Sequence, residues 1–171
     1  MAIVKQVLLT DLDYSAWANQ RLLDVCSTLT AEELDRDLGA SHGSVAGTLR
    51  HIYDAERVWL NQLRATSLPP LSEMGDQRRF QDSPPETGLQ ELKQQWPEIW
   101  EGLHRWIEHL PSEDLDREPH ICLPNGEEFH VWKVVRHVVN HSTLHRGQLM
   151  GMLCRLGTQP PGTDIMTYYL E

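Results

Sequence analysis

The sequence predicts an all-α protein folded as a four-helix bundle. Four long stretches carry apolar residues at i, i+3 and i+4 spacing, the mark of helices with one buried face. Turn and capping signals fall between them, and nowhere do strands and helices alternate as an α/β sheet requires. The length of 171 residues suits one domain spanning 1–171, large enough to bury roughly 70% of its unfolded surface.

The first long helix is expected from Gln6 to Thr28, with Leu8, Leu12, Ala16, Leu22, Leu23 and Cys26 on its apolar stripe. Thr30 and Glu33 then stand at capping-box spacing and can start a short helix. A turn-like stretch, Gly39-Ala40-Ser41-His42-Gly43, follows. Ser44 can cap a second long helix to about Ala65, with Val45, Leu49, Ile52, Trp59 and Leu63 on one stripe. Thr66 to Gly88 is rich in Pro, Ser, Asp and Arg and reads as a long loop. A third long helix is expected over Leu89–Leu110, kinked at Pro97 or truly starting there. The phrase Leu110 to Arg117 echoes Leu29 to Arg36, which hints at a duplicated helix pair. Between Glu118 and His130, Ile121 and Leu123 alternate with polar neighbours around Asn125-Gly126, a hairpin signal. The fourth long helix is expected from Val131 to Leu156, closed by Gly157. One last helical turn fits near Ile165–Tyr169.

Composition excludes several classes. The net charge of −10 opposes nucleic-acid binding, which depends on Lys and Arg neutralising phosphates. No apolar run approaches the roughly 20 residues that span a bilayer. The beginning, Met1-Ala2-Ile3-Val4-Lys5, lacks the features of a secretion signal, so the cytoplasm is the expected location. Cys26, Cys122 and Cys154 are far apart and form no CxxC pair, which argues against a disulfide framework or a cysteine zinc site.

Histidine is the outlier, with nine in the chain. The strongest signal is His141-Ser142-Thr143-Leu144-His145 in the fourth long helix. Residues four apart on a helix share a face, so both imidazoles can reach one ion. They also lie on the stripe of Val134, Val138, Leu149 and Met152. Buried imidazoles need partners, which leaves two readings open: ligands of a metal, or core histidines bonded to backbone or carboxylate. A zinc-protease motif would need Glu where Ser142 stands. His51, in the second long helix, is the best third ligand. Asp54 offers an acceptor for an imidazole N–H or stands as an exposed carboxylate. Glu56 falls on the buried stripe and calls for an arginine or a site histidine as partner.

Taken together, Trp17-Ala18-Asn19-Gln20-Arg21, Gly47-Thr48-Leu49-Arg50-His51-Ile52 with Glu56 and Trp59, and His141-Ser142-Thr143-Leu144-His145-Arg146-Gly147-Gln148 resemble the DinB/YfiT-like family. The resemblance covers most of the chain, and His-Arg-Gly-Gln is its most specific part. It implies a metal-binding bundle, commonly a homodimer, with His51, His141 and His145 holding a divalent ion. His137, one turn earlier, matches no ligand and either lines the pocket or packs in the core. Three neutral histidines with open positions suit Zn²⁺ or Ni²⁺. The resemblance further implies a thiol S-transferase in which the metal activates a low-molecular-weight thiol against an electrophile. The other reading is a non-catalytic dimeric metal-binding protein with a structural or stress-related role. Arg146 is expected to bind an anionic substrate group or to pair with Glu56, and Gln148 and Asn140 to make polar contacts. No catalytic acid or base is identifiable.

Other signals carry less. Gly39 to Gly43 spells G-x-S-x-G, but a nucleophile elbow needs a strand before it. Trp96, Trp100 and Trp106 stand at helical spacing and fit a core better than a ligand site. His42, His104, His109, His120 and His130 show no partner spacing and are assigned to the surface or to local roles.

Overall fold

The computed structural model describes residues 2–64, 88–117, 121–122 and 128–171. In chain order the elements are α1 (Ala2–Cys26), α2 (Ala31–Asp35), α3 (Val45–Arg64), α4 (Leu89–His109), α5 (Asp114–Arg117), β1 (Ile121–Cys122), β2 (Glu128–Phe129), α6 (Val131–Arg155) and α7 (Ile165–Leu170). The four long helices form the expected bundle. Helix α1 packs on α4 and α6, and α3 packs on the same two. Hence α1 and α3 sit diagonally, while α3 and α6 are neighbours. Among the described residues no helix is long and apolar enough to cross a membrane. The expected Thr66–Gly88 loop lies outside the described residues apart from Gly88, which precedes α4.

Local chemistry accounts for the ends of these elements. Thr30 and Glu33 form the anticipated capping box at α2. Ser44 Oγ accepts from the Gly47 N–H, 3.0 Å, at the start of α3. Gly157 takes a positive φ of 77° just beyond α6, where a residue with a Cβ would be strained. Pro97 neither starts nor ends a helix, since α4 runs unbroken from Leu89 to His109. The apolar stripe of α4 continues on both sides of it, so packing outweighs one lost hydrogen bond. Two-residue strands pair Ile121 with Phe129 and Cys122 with Glu128 in antiparallel fashion; the Asn125-Gly126 turn expected between them lies outside the described residues.

The core is divided by a polar layer. One apolar cluster gathers Leu22, Leu23, Leu49, Ile52, Leu92, Trp96, Leu149 and Leu153. A second gathers Leu8, Leu12, Leu60, Leu63, Leu103, Ile107, Val134 and Val138. Between them each long helix contributes polar groups: Ser15 and Asn19 from α1, Glu56 from α3, the Trp96 and Trp100 indoles from α4, and Ser142 and Arg146 from α6. Glu56 is the hub. Its Oε1 accepts from Asn19 Nδ2 at 2.9 Å and Ser142 Oγ at 2.6 Å. Its Oε2 accepts from Trp96 Nε1 at 2.6 Å and Trp100 Nε1 at 3.0 Å. The expected arginine or histidine partner is replaced by these neutral donors. Arg146 reaches Glu56 only through Asn19, whose Oδ1 accepts from Arg146 Nη1 at 3.0 Å. The tryptophans are thus core residues whose indole N–H groups have a specific acceptor.

Candidate metal centre

Neighbouring helices α3 and α6 bring the histidines together. His51 Nε2 and His141 Nε2 lie 3.1 Å apart. The His145 ring centroid is 4.5 Å from that of His51 and 4.4 Å from that of His141. His145 is buried, and the other two are half-buried. Two imidazoles on one tetrahedral ion, with Zn–N near 2.1 Å, stand about 3.4 Å apart. The observed nitrogen separation fits a shared ion without rearrangement of the helices.

A fourth imidazole joins them. His42 stacks on His51 with centroids 3.7 Å apart and planes at 18°, and it meets His145 edge-on at 5.0 Å. Ligating nitrogens of His42, His51 and His145 all lie within 4.8 Å of one another, a set able to hold a metal; the expected ligand His141 stands outside that set and meets it at His51 Nε2. The sequence, offering no partner spacing, assigned His42 to the surface or to a local role, and the structure corrects that by setting it half-buried against His51 and His145. No helical period links a turn residue to a partner, so spacing gave no signal. Its position just ahead of the His51 helix was the available hint.

Burial and mutual proximity favour the uncharged forms of His42, His51 and His141. Desolvation, then the neighbouring histidines His42, His141 and His145, push the His51 pKa down to about 3. The same causes, with His145 and His137 the leading neighbours, push His141 down to about 4. His42 is lowered by desolvation first and by His145 second. Neutral imidazoles with available lone pairs are what a divalent ion requires.

Gln148 sets the orientation of His145. Its Oε1 accepts from His145 Nδ1 at 2.9 Å and from Ser41 Oγ at 3.1 Å. An amide oxygen only accepts, so the His145 proton sits on Nδ1 and Nε2 is left free to ligate. Gln148→Ala should therefore weaken metal binding by about 10–100-fold while leaving helix content unchanged. A competition titration with Co²⁺ and a chelator reads this directly. Unchanged affinity would show that packing alone orients the ring.

The remaining candidates lie elsewhere. His137 is exposed rather than core, edge-on to Trp59 at 5.2 Å and beside His141 at 5.8 Å. Asp54 is 3% exposed, not a surface carboxylate, and pairs with Arg57 at 3.3 Å. Arg146 is 1% exposed and donates to Ser15, Asn19 and Thr143, with Tyr14 beneath its guanidinium. Its donors are directed into the polar layer, so it is not placed to receive a substrate anion. Asn140 is exposed. Ser41 of the G-x-S-x-G match lies in a turn between helices and serves Gln148, so no nucleophile elbow is formed.

A family model described as the DinB family matches residues 4–170. Protein DinB of Bacillus subtilis (strain 168) is 26% identical to the chain over 158 residues, covering 91% of this chain and 90% of that protein.

Proposed function

The chain belongs to the DinB family, and from that premise we propose a metal-dependent enzyme of thiol S-transferase type. The observation that carries this reading is the convergence of His51 and His141, with Nε2 atoms 3.1 Å apart, beside His145. Neutral imidazole donors select a first-row divalent ion, Zn²⁺ or Ni²⁺. Such an ion would supply a Lewis-acid position at which a small thiol loses its proton and becomes a nucleophile. The chain's own part is to hold His51 and His141 neutral, to fix His145 through Gln148, and to admit the thiol and an electrophile. The half-buried faces of His51 and His141, with exposed His137 and Trp59 beside them, provide that access. The same reading takes the protein as a cytoplasmic homodimer that acts on small molecules and not on nucleic acid.

The test begins with elemental analysis of protein purified without chelator. About one equivalent of Zn or Ni per chain is expected, and it should be lost in His145→Ala. The loaded protein should then consume glutathione, bacillithiol or cysteine in the presence of an electrophile panel, and chelation should stop it. Bound metal with no consumption of any thiol would replace the enzyme by a non-catalytic metal-binding protein. No metal in the wild type, even after reconstitution, would reduce the histidines to packing residues.

A further inference from the structure

We propose that His42 is a fourth ligand of the centre, supplied by the turn ahead of α3 rather than by either histidine-bearing helix. The proposal rests on the reading of the cluster as a metal centre and adds a donor to it. Its ligating nitrogen lies with those of His51 and His145 inside one 4.8 Å set. Two nitrogens on one tetrahedral ion stand about 3.4 Å apart, so the widest separation in the set would shorten by at most about 1.4 Å to share an ion.

The turn that carries His42 is built to hold it there. Gly39 and Gly43 adopt positive φ values of 67° and 70°, a backbone region that strains residues with a Cβ. The turn closes on itself through Leu38 N–H to Gly43 O at 2.8 Å and Gly43 N–H to Ala40 O at 2.9 Å. The His42 carbonyl accepts from the Ser44 N–H at 2.8 Å. It also passes so close to Gly47 that a Cβ there would stand 2.3 Å from it. Next to His42, Ser41 Oγ donates to the Gln148 oxygen that orients His145. The turn is therefore pinned to α3 by backbone contact and to α6 at the site itself. A histidine displayed only to solvent would need none of this.

A fourth imidazole changes what the metal offers. Four protein ligands close a tetrahedral site, whereas three leave a position for an added ligand, so in the proposed reaction the thiol would enter by displacing His42 and not at a standing vacancy. The experiment compares Co²⁺-loaded wild type, His42→Ala and His42→Gln, with circular dichroism to confirm that each is folded. All three should bind one Co²⁺ per chain, because His51, His141 and His145 remain. In both variants the Co²⁺ affinity should fall by about tenfold or more, and the visible ligand-field spectrum should change. Azide, used as the probe, should bind the variants about tenfold more tightly than the wild type, since it no longer competes with an imidazole. Identical spectra, Co²⁺ affinity and azide response in all three would overturn the assignment while leaving the metal centre intact. Failure of the wild type itself to bind Co²⁺ would remove the centre and this ligand with it.

Discussion

Glu56→Ala is expected to destabilise the protein by about 3–5 kcal/mol, the loss typical when one member of a buried charged network is removed. The carboxylate is 2% exposed and takes hydrogen bonds from Asn19, Trp96, Trp100 and Ser142, one or more groups from each of the other three long helices. Alanine leaves those donors facing a cavity. It also leaves the Arg146 guanidinium, buried by α1 and linked to Glu56 through Asn19, without its counter-charge. Burial already lowers the Arg146 pKa, and the attractions of Tyr14 and Glu56 act against that lowering. For a chain of this size the melting temperature should drop by roughly 6–20 °C. Glu56→Gln should lose less, because one oxygen and the side-chain volume remain. Chemical denaturation of the three proteins measures this. A loss below about 1 kcal/mol for alanine would mean that water enters and satisfies the layer.

Acid is expected to destabilise the metal-free protein from about pH 6.5 downward, before its carboxylates titrate. Histidine in an unfolded chain has a pKa of about 6.5, whereas His51 and His141 are held at about 3 and about 4. Above pH 6.5 neither state takes up a proton at these rings, and their contribution is constant. As the pH falls from 6.5 toward 4, the unfolded chain binds protons that the folded chain refuses, so stability is lost. The slope is at most about 1.4 kcal/mol per pH unit for each ring, and solvent screening of these half-buried groups reduces it. Once the pH lies below both folded-state values, the loss from these two rings is complete. Urea midpoints between pH 7.5 and 4.5 should show this slope in wild type and a flatter one in a His51→Leu, His141→Leu double variant. Equal slopes in the two proteins would assign the acid sensitivity to other groups.

Much of the molecule was legible before folding was considered. The apolar period gave α1, α3, α4 and α6, because burial of one face repeats every turn and is written locally. Thr30, Glu33, Ser44 and Gly157 marked helix ends through bonds and backbone angles that span only a few residues. The i,i+4 pair His141 and His145 needed no tertiary information to share a face. His51 was reachable too, since it sits beside an apolar stripe that had to face the same core.

Other features depended on which helices meet. Ser15 and Asn19 are buried polar residues on α1 that the apolar pattern passes over, and only contact with α3 and α6 gives them partners. Arg146 reads equally as a substrate-binding cation or a partner of Glu56 until the packing of α6 on α1 directs it inward, to Ser15 and Asn19. Asp54 reads as an imidazole acceptor or a surface carboxylate until its burial beside Arg57 is seen. His42 lies in a turn, where no period exists to say which way a side chain faces. The sequence by itself determined the bundle, its caps and the paired histidines of α6. The tertiary structure alone decided that Glu56 gathers donors from three helices and that His42 joins His51 and His145. Helical periodicity records that a face is buried, but not what that face meets.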